Sequence, residues 1–541
     1  GIVARALSAV DQIDRSGLSQ HDAVSCAVLH ESLSNSLAGA RFGWGSFGFG
    51  PPQPYTVTQL SGSYIQTPTF LDTNHPIRTT TDVEYYLARL SSYADRLDQE
   101  SKRIAEDAKQ GIVPPDFVLD GTIAQLKGFA SKAAVDTILV QSLKRRIAGV
   151  PGMDAKQAES KISAAIKLVS QKILPAYSRQ ADALRALREK SGHDAGIWRV
   201  KNGDQFYATA LRAWTTSSLS PDQIHKMGLD LVRDINAQML AVLDARGPKG
   251  GTLSDRIGAL SADPAQLYAN TDSGRDQLLK DLNSQIVALQ PYLSANFGTL
   301  AKAKLEIRRV PAYREAGAPG GYYESGALDG SRPGYYYINL RNTAEWPRFA
   351  LPTLTYHEGE PGHHWQISIA QEAEELHLVR KALISFSGYT EGWGLYAEQL
   401  ADEMGVYHDN PLGRLGYLQS AAFRAARLVV DTGMHAMRWS REKSIDYMVE
   451  ATGNPRTRMT TEVERYSAWP GQACAYMVGR ETIRSLRDDA KTKLGAKFDI
   501  KSFHDLVLRN GAVPLAVLNS IVKTWLDAQM AQMPAAARPK S

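Results

Sequence analysis

The sequence predicts a mainly α-helical protein with a small antiparallel β-sheet near residues 304–340. Apolar residues recur with the helical period over most of the chain, and β-prone residues cluster in that one stretch. The chain has 541 residues, whereas a single hydrophobic core stops growing at ~250–300. We therefore expect two lobes around a cleft. Residues 1–300 would form an N-terminal helical lobe, and residues 301–541 a second helical lobe that carries the sheet.

Helical periodicity is clear from residue 82 to about residue 300. In its first segment, apolar residues recur at the spacing of one helical face: Val83, Leu87, Leu90, Ala94 and Leu97. Another helix is predicted to begin after Ser220, an N-cap residue followed by Pro221 at the first helical position and Gln223 at the third. Both patterns indicate helices that pack against others in a bundle.

The pattern changes between residues 304 and 340. Two short β-prone segments, LEIRRV and GYYYINL, flank a stretch rich in glycine and proline, and this arrangement predicts the small antiparallel sheet. Helical patterning resumes at about residue 347 and continues to residue 530. Turn residues predict breaks within it at Gly405, Asn410-Pro411, Gly453-Asn454-Pro455 and Pro470-Gly471.

Composition excludes several classes of function. The net charge of +5 comes from 62 basic and 57 acidic residues without a basic stripe, so we expect no nucleic-acid partner. No apolar run approaches the ~18–20 residues of a membrane span. Cys26 and Cys474 are the two cysteines, too few for a disulfide framework or a thiolate zinc cluster. We expect two unlinked, partly buried thiols.

The compartment depends on processing. The sequence opens at GIVARALSAV, which has no apolar signal-peptide region. We expect a periplasmic or secreted protein if a signal peptide has been removed, and a cytoplasmic protein otherwise. The sequence does not indicate an oligomeric state.

The segment LTYHEGEPGHHWQ, residues 354–366, carries the candidate chemistry. Zinc hydrolysis needs two imidazoles for the metal and a carboxylate beside the bound water, and His357-Glu358 followed by another histidine supplies these groups. The common pattern H-E-x-x-H places its two histidines one helical turn apart. Here the fourth position after His357 is Pro361, so the second histidine must come from elsewhere.

His363 and His364 are the candidates for that second histidine. In a regular helix, His363 would point ~120° away from His357, whereas His364 would share its face but lie ~10.5 Å along the axis. Pro361 cannot donate to the carbonyl of His357 and clashes with it, so the helix should kink or bulge there. Two looped-out residues would bring His363 to the missing position. We favour His363, with His364 as the alternative.

A third ligand is expected from the next helical segment, TEGWGLYAE, because catalytic zinc usually takes three protein groups and one water. Glu391 and Glu398 lie seven residues apart in this segment, on one helical face and among apolar and aromatic residues. We assign Glu391 as the ligand and Glu398 as the group that orients a ligand histidine, although the two roles could be exchanged.

These motifs resemble those of the bacterial domain-of-unknown-function 885 family. The family patterns HEGxPGHHxQ and EGWGLYAE match His357–Gln366 and Glu391–Glu398. The resemblance continues through Arg427–His435 and Pro470–Tyr476, and more weakly through Tyr207–Gly228. That family is in turn similar to the helical gluzincin peptidases, which include angiotensin-converting enzyme, thimet oligopeptidase and the thermostable carboxypeptidases.

The resemblance implies a two-lobed helical metallopeptidase-like fold with a deep cleft and zinc at its floor. The gluzincin motif reads His-Glu-x-Gly-His, so Gly362-His363 aligns with its last step after two inserted residues, which supports His363. In these relatives the edge of a small sheet pairs with extended substrate, and Tyr337 is the candidate here to contact it.

The resemblance also implies an oxyanion-stabilising group from a later helix. Tyr476 is the best match and His435 is the second. The alternative for Tyr476 is a role as a core aromatic residue, and the alternative for His435 is a role as a structural partner of Asp431. Arg465 is a candidate to bind a substrate carboxylate with two hydrogen bonds, although a salt bridge within the protein is the alternative.

The leading hypothesis is a zinc-dependent hydrolase that cleaves peptide bonds. His357, His363 and Glu391 would bind Zn²⁺, and Glu358 would take the proton of water and pass it to the leaving amine. A metal-dependent amidase or esterase with a non-peptide substrate is one alternative. A catalytically inactive peptide-binding protein of the same fold is another.

Overall fold

The computed structural model describes residues 1–46, 50–247, 250–312, 315 and 318–532, and most of them are helical. Before residue 300 the helices are α1 (Ile2–Asp11), α2 (Gln20–Ala40), α3 (Ser63–Thr73), α4 (Thr80–Lys109), α5 (Asp116–Ala130), α6 (Ile138–Ile147), α7 (Ala155–Leu168), α8 (Leu174–Arg188), α9 (Gly203–Thr215), α10 (Pro221–Asp244), α11 (Leu253–Ala262) and α12 (Asp272–Asn296). A π-helical segment, Val169–Ile173, joins α7 to α8.

After residue 300 come three strands and a second set of helices. These are β1 (Leu305–Arg309), β2 (Gly321–Glu324), β3 (Gly334–Ile338), α13 (Leu351–Glu358), α14 (His363–Glu372), α15 (Leu378–Ala382), α16 (Ser387–Glu403), α17 (Pro411–His435), α18 (Arg441–Thr452), α19 (Arg456–Ala468), α20 (Ala475–Leu494), α21 (Ile500–Arg509) and α22 (Leu515–Ala531). Short 3-10 turns lie at Ala134–Asp136, Ile197–Arg199, Pro264–Gln266, Thr343–Glu345, Arg348–Ala350, Gln472–Cys474 and Gly495–Lys497.

The local signals in the sequence correspond to real helix boundaries. The side chain of Ser220 accepts a hydrogen bond from the backbone of Gln223, and the Gln223 side chain accepts one from the backbone of Ser220. α10 therefore begins with the predicted capping box and with Pro221 in its first turn. The predicted breaks also lie between helices, since α16, α17, α18, α19 and α20 end or begin beside them.

Buried apolar side chains form two large clusters. One is drawn from residues 57–184 and joins α3 to α8, with Val83, Leu90, Ala94 and Leu97 of α4 at its centre. The other extends through α9, α10, α16, α17 and α20. Because α10 packs along α17, this second cluster contains residues from both sides of position 300. The division into lobes at that position stays a prediction.

The sheet has the predicted location but not the predicted topology. β3 is the central strand, with β1 on one side and β2 on the other. β2 pairs antiparallel to β3, but β1 pairs parallel to it, so the expectation of an antiparallel sheet is wrong. The chain between β1 and β3 is long enough for a parallel crossover because it includes β2. β2 itself was missed because it lies in the stretch rich in glycine and proline.

Two further expectations concern the cysteines and the membrane. Cys26 and Cys474 are buried and unlinked, as predicted. Within the described ranges, no helix combines the length and the apolar character that crossing a bilayer requires.

Candidate metal centre

Pro361 and Gly362 separate two helices. α13 ends at Glu358 and α14 begins at His363, so the predicted kink or bulge is a complete break. A Cβ atom on Gly362 would lie 1.9 Å from the carbonyl oxygen of His357, and only glycine permits this close approach. The break turns α14 so that the rings of His357 and His363 lie 4.6 Å apart between centroids.

His357, His363 and Glu391 converge on one point. Oε2 of Glu391 lies 3.5 Å from Nε2 of His357 and 3.5 Å from Nε2 of His363. One ligand atom from each residue lies within 4.8 Å of the other two. Zinc ligands at ~2.0–2.1 Å in a tetrahedron are ~3.4 Å apart, so these separations fit such an ion. The sequence predicted this set of three ligands.

Glu398 fixes the orientation of the His357 ring. Nδ1 of His357 donates to Oε1 of Glu398 at 2.8 Å, which leaves Nε2 facing the cluster. Oε2 of Glu398 accepts from the hydroxyl groups of Thr353 and Ser420. A Cβ atom on Gly394 would lie 2.7 Å from this ring, so glycine is what lets α16 pack against it. Glu391 and Glu398 therefore lie on opposite sides of His357.

Gln366 contacts His363, the other candidate ligand histidine. Its amide nitrogen donates to the carbonyl of Thr390 at 2.9 Å and lies 2.8 Å from Nδ1 of His363. Metal binding through Nε2 requires the ring proton on Nδ1, and that proton then needs an oxygen acceptor. A half-turn of the Gln366 amide would supply that oxygen but would break the hydrogen bond to the carbonyl of Thr390.

His364, the residue after His363 in α14, faces away from the cluster and contacts the sheet. Its Nε2 donates to the carbonyl of Ala303 at 3.1 Å, and Nδ1 accepts from the hydroxyl of Tyr323 at 3.1 Å. The side chain is completely buried, and burial lowers its pKa to about 4. Both ring nitrogens of the alternative ligand are thus engaged outside the cluster.

The electrostatics of the cluster favour a cation. Burial alone would lower the pKa of His357, but hydrogen bonds to Glu391 and Glu398 outweigh it and raise that pKa to about 10. Burial would raise the pKa of Glu391, yet its contacts with His357 and His363 hold it well below the usual range. A positive charge between these groups is therefore stabilised.

Glu358 is a buried carboxylate without a partner. Its exposed fraction is 6%, and within the described residues it makes no hydrogen bond or ion pair. Its negative charge acts on His357, which places it beside the cluster. Its oxygens are not among the enclosed side-chain atoms that lack a partner, so a water molecule can reach the carboxylate.

Tyr476 is close to the cluster, whereas His435 is engaged in the core. Burial and the charge of Glu391 raise the pKa of Tyr476, and its hydroxyl has no hydrogen bond within the described part of the chain. Nδ1 of His435 accepts from the backbone of Ile197, and Nε2 donates to the carbonyl of Tyr466. Burial lowers the pKa of His435 to about 4, so an oxyanion role would require one of these bonds to break.

The two candidate substrate-binding residues lie in different places. Arg465 donates to Glu462 at 3.0 Å and to Gln472 at 2.6 Å. The contact with Glu462 is the salt bridge within the protein that was predicted from the sequence as the alternative role of Arg465. Tyr337 is on the central strand β3 and stacks on Tyr322 at 5.2 Å between ring centroids. Neither of them has a described contact with His357 or His363.

Sequence reasoning missed several polar residues around the site. Thr353 and Ser420 bond to Glu398, and Gln366 contacts His363. Arg424 and Arg427 lie near Glu398 and Tyr476. The spacing of three residues between His363 and Gln366 was a usable signal, because such pairs share a helical face.

Fold and site together define a mainly helical protein with a cluster of two buried histidines and one partly exposed glutamate that could hold a metal ion. The chain belongs to the family described as bacterial protein of unknown function (DUF885), whose model matches residues 2–522. The resemblance predicted from four motifs is thus confirmed over nearly the whole chain. The similarity to gluzincin peptidases stays a prediction.

Two solved structures of putative lipoproteins are similar to this chain. The protein from Colwellia psychrerythraea is 39% identical, with a TM-score of 0.93 over 97% of this chain and 90% of its own. The protein from Shewanella oneidensis, of unknown function, is 17% identical, with a TM-score of 0.73 over 96% of this chain and 91% of its own. The second likeness concerns the fold alone. No curated protein matches the sequence.

Proposed function

We propose that this protein is a zinc-dependent hydrolase that cleaves peptide bonds with water. One observation carries the proposal: His357, His363 and Glu391 converge within ligand distance of one another, beside Glu358, a buried residue whose carboxylate has no partner among the described residues. Two imidazole nitrogens and one carboxylate oxygen suit zinc, and no thiolate is present to favour softer ions. Zinc bound there would polarise the scissile carbonyl and acidify water.

The protein's own groups would move the protons. Glu358 would take a proton from water as the new carbon–oxygen bond forms, and would pass it to the nitrogen of the leaving amine as the carbon–nitrogen bond breaks. The free hydroxyl of Tyr476 would donate to the oxyanion that develops on the carbonyl oxygen. Glu398 would keep Nε2 of His357 directed at the metal.

The two alternatives predicted from the sequence differ in how they fit this site. An inactive peptide-binding protein has no need for both a complete ligand set and a buried free carboxylate. An amidase or esterase acting on a non-peptide substrate would use the same groups, so the substrate is the difference between it and a peptidase.

The names of the relatives bear on location. The 39% identical structure from Colwellia psychrerythraea is named as a putative lipoprotein, and lipoproteins are held at a membrane by a lipid. This supports a place outside the cytoplasm for the present chain, in line with the periplasmic or secreted alternative predicted from the sequence.

Metal analysis combined with peptide digestion tests the proposal. Purified protein should carry about one zinc per chain, and a chelator should remove both the zinc and the hydrolysis of a mixed peptide library followed by mass spectrometry. Added zinc should restore both. Glu391→Gln protein should fail to bind zinc or to hydrolyse. A protein that neither binds zinc nor cleaves any peptide or simple amide when zinc is supplied would contradict the proposal.

A further inference from the structure

Four arginines gather beside the candidate metal centre. Arg424 and Arg427 lie on α17, and Arg458 and Arg465 lie on α19. The guanidinium carbons of Arg427, Arg424 and Arg458 lie 4.3, 5.4 and 5.4 Å from the centre of the Phe423 ring. Three positive groups thus surround one aromatic ring, an arrangement that favours them as cations but does not remove their mutual repulsion.

The acidic groups around these arginines do not balance their charge. Glu462 accepts from Arg427 at 3.2 Å and from Arg465 at 3.0 Å. Arg424 lies 3.9 Å from Glu398, which already accepts from His357. Within the described residues, Arg458 forms no ion pair and contacts the side-chain oxygen of Asn454 instead. Four cations therefore share two carboxylates, one of which serves the candidate metal centre.

Two hydrogen-bond donor atoms of these four arginines are buried and have no partner among the described residues. Nη1 of Arg427 and Nε of Arg424 have no hydrogen-bond partner in the described part of the chain. The exposed fraction of Arg427 is 6%, so its free donor is held in the interior at a cost in free energy. Arg458 is exposed, which gives the group an opening to solvent. Both unused donors are enclosed in this structure, so a small anion that enters there would accept from them after a shift of the two side chains.

The four arginines lie beside Tyr476 and the candidate metal centre. Arg427 lies 4.7 Å from the centre of the Tyr476 ring, and Arg424 contacts the carboxylate that orients His357. We propose that Arg424, Arg427, Arg458 and Arg465 bind a carboxylate of the substrate, close to the bond that is cleaved. The planar guanidinium group suits a carboxylate because it can donate two parallel hydrogen bonds. This inference rests on the proposed function, and it defines the substrates as peptides with a carboxylate near the scissile bond.

Binding of matched peptides tests the inference. The probes are Ala-Ala-Ala as the free acid, the same peptide as its C-terminal amide, and Ala-Asp-Ala amide, titrated calorimetrically into zinc-loaded Glu358→Gln protein. We expect the free acid to bind about 10-fold or more tightly than its amide, as charged hydrogen bonds allow. If the aspartyl amide also binds tightly, a side-chain carboxylate is accepted as well as the terminal one.

Arginine variants identify the residues that carry this preference. Arg458→Gln and Arg427→Lys, made in the same background, should each reduce the preference for the acid several-fold, whereas Arg233→Gln on the exposed surface of α10 should not. Arg458 is exposed, so its variant should fold even if the change at Arg427 does not. Equal affinity for all three probes, binding of none, or an unchanged preference in both variants would overturn the inference.

The outcome separates this inference from the proposed function. Hydrolysis of the same three probes by zinc-loaded protein without the Glu358→Gln change is measured in parallel. An arginine-dependent preference in a protein that cleaves neither these probes nor any member of the peptide library supports the carboxylate site and contradicts the peptidase. Equal hydrolysis of acid and amide supports the peptidase and contradicts the carboxylate site.

Discussion

Nδ1 of His357 donates a hydrogen bond of 2.8 Å to Glu398, a carboxylate that is itself almost completely buried. This bond fixes the ring proton on Nδ1, and Nε2 is then free to bind a metal. Two hydroxyl groups, from Thr353 and Ser420, hold the Glu398 carboxylate in turn. This hydrogen bond explains why Glu398, seven positions after Glu391, lies among the apolar residues of α16.

Replacement of Glu398 should weaken zinc binding without removing a ligand. Glu398→Gln keeps the shape of the side chain but removes the negative charge that faces Nδ1, so zinc affinity should fall by ~10–100-fold. Competition with a chromophoric chelator measures this change. Glu403→Gln, at the exposed end of the same helix, is the control and should bind zinc as the parent does. An unchanged affinity in the Glu398 variant would show that the hydrogen bond does not support the ligand.

His363 and His364 should differ sharply in their effect on zinc retention. His363→Ala should abolish it because a ligand is lost, whereas His364→Ala should reduce it less, since His364 contacts Ala303 and Tyr323 instead. Zinc content after gel filtration, measured beside the thermal unfolding midpoint, separates loss of metal from loss of fold. The opposite order would identify His364 as the ligand.

Much of the fold follows from local signals in the sequence. Apolar periodicity predicts α4, and the Ser220 cap with Pro221 predicts the start of α10. The pairing of β1 with β3 could not be predicted, because short β-prone segments do not encode which neighbour they choose. Their parallel pairing depends on the long connection and on the packing of the sheet against α12 and α13.

The convergence of the three candidate ligands could be predicted for a different reason. Few other roles place histidine or glutamate among apolar residues, as is the case for His357, His363 and Glu391. Pro361 indicated that a regular helix could not continue through this segment. Of the four arginines, Arg465 alone was predicted as a carboxylate-binding candidate, because the members of the group come from α17 and α19 and meet only in the folded chain.

Tyr476 should contribute to turnover but not to metal binding. Tyr476→Phe removes one donor to the developing oxyanion and should lower kcat by ~10²-fold, while zinc content stays near one per chain. Steady-state kinetics with a cleaved peptide from the library measures this. Tyr417→Phe, a buried tyrosine of α17, is the matched control. Should Tyr476→Phe keep the parent kcat, Tyr476 is a packing residue.

His193 should make stability depend on pH. Its ring lies between Glu442 of α18 at 3.0 Å and Asp116 of α5 at 2.9 Å, and hydrogen bonds to these two carboxylates raise its pKa. A raised pKa means that the folded state favours the imidazolium form. The stabilisation is therefore complete below the unfolded-state pKa of ~6.5 and is lost as pH rises through the higher folded-state pKa.

His193→Gln should consequently destabilise the protein more at pH 6 than at pH 9. The side chain is more than half exposed, so solvent screening limits the effect to about 1 kcal/mol or less. Chemical unfolding at the two pH values measures the difference. His408→Gln, which alters an almost fully exposed histidine, should show none. An equal loss at both pH values would mean that His193 acts through packing and not through its charge.

Glu358→Gln tests the central claim most directly, because it removes the proposed base and keeps every ligand. The zinc-loaded variant should retain about one zinc per chain, since Glu358 is not in the ligand cluster. Its turnover of a cleaved peptide should fall by at least ~10²–10⁴-fold, the range typical of a lost general base. Near-parental turnover with zinc in place would contradict the account, and Glu360 or Glu398 would then be the base to test.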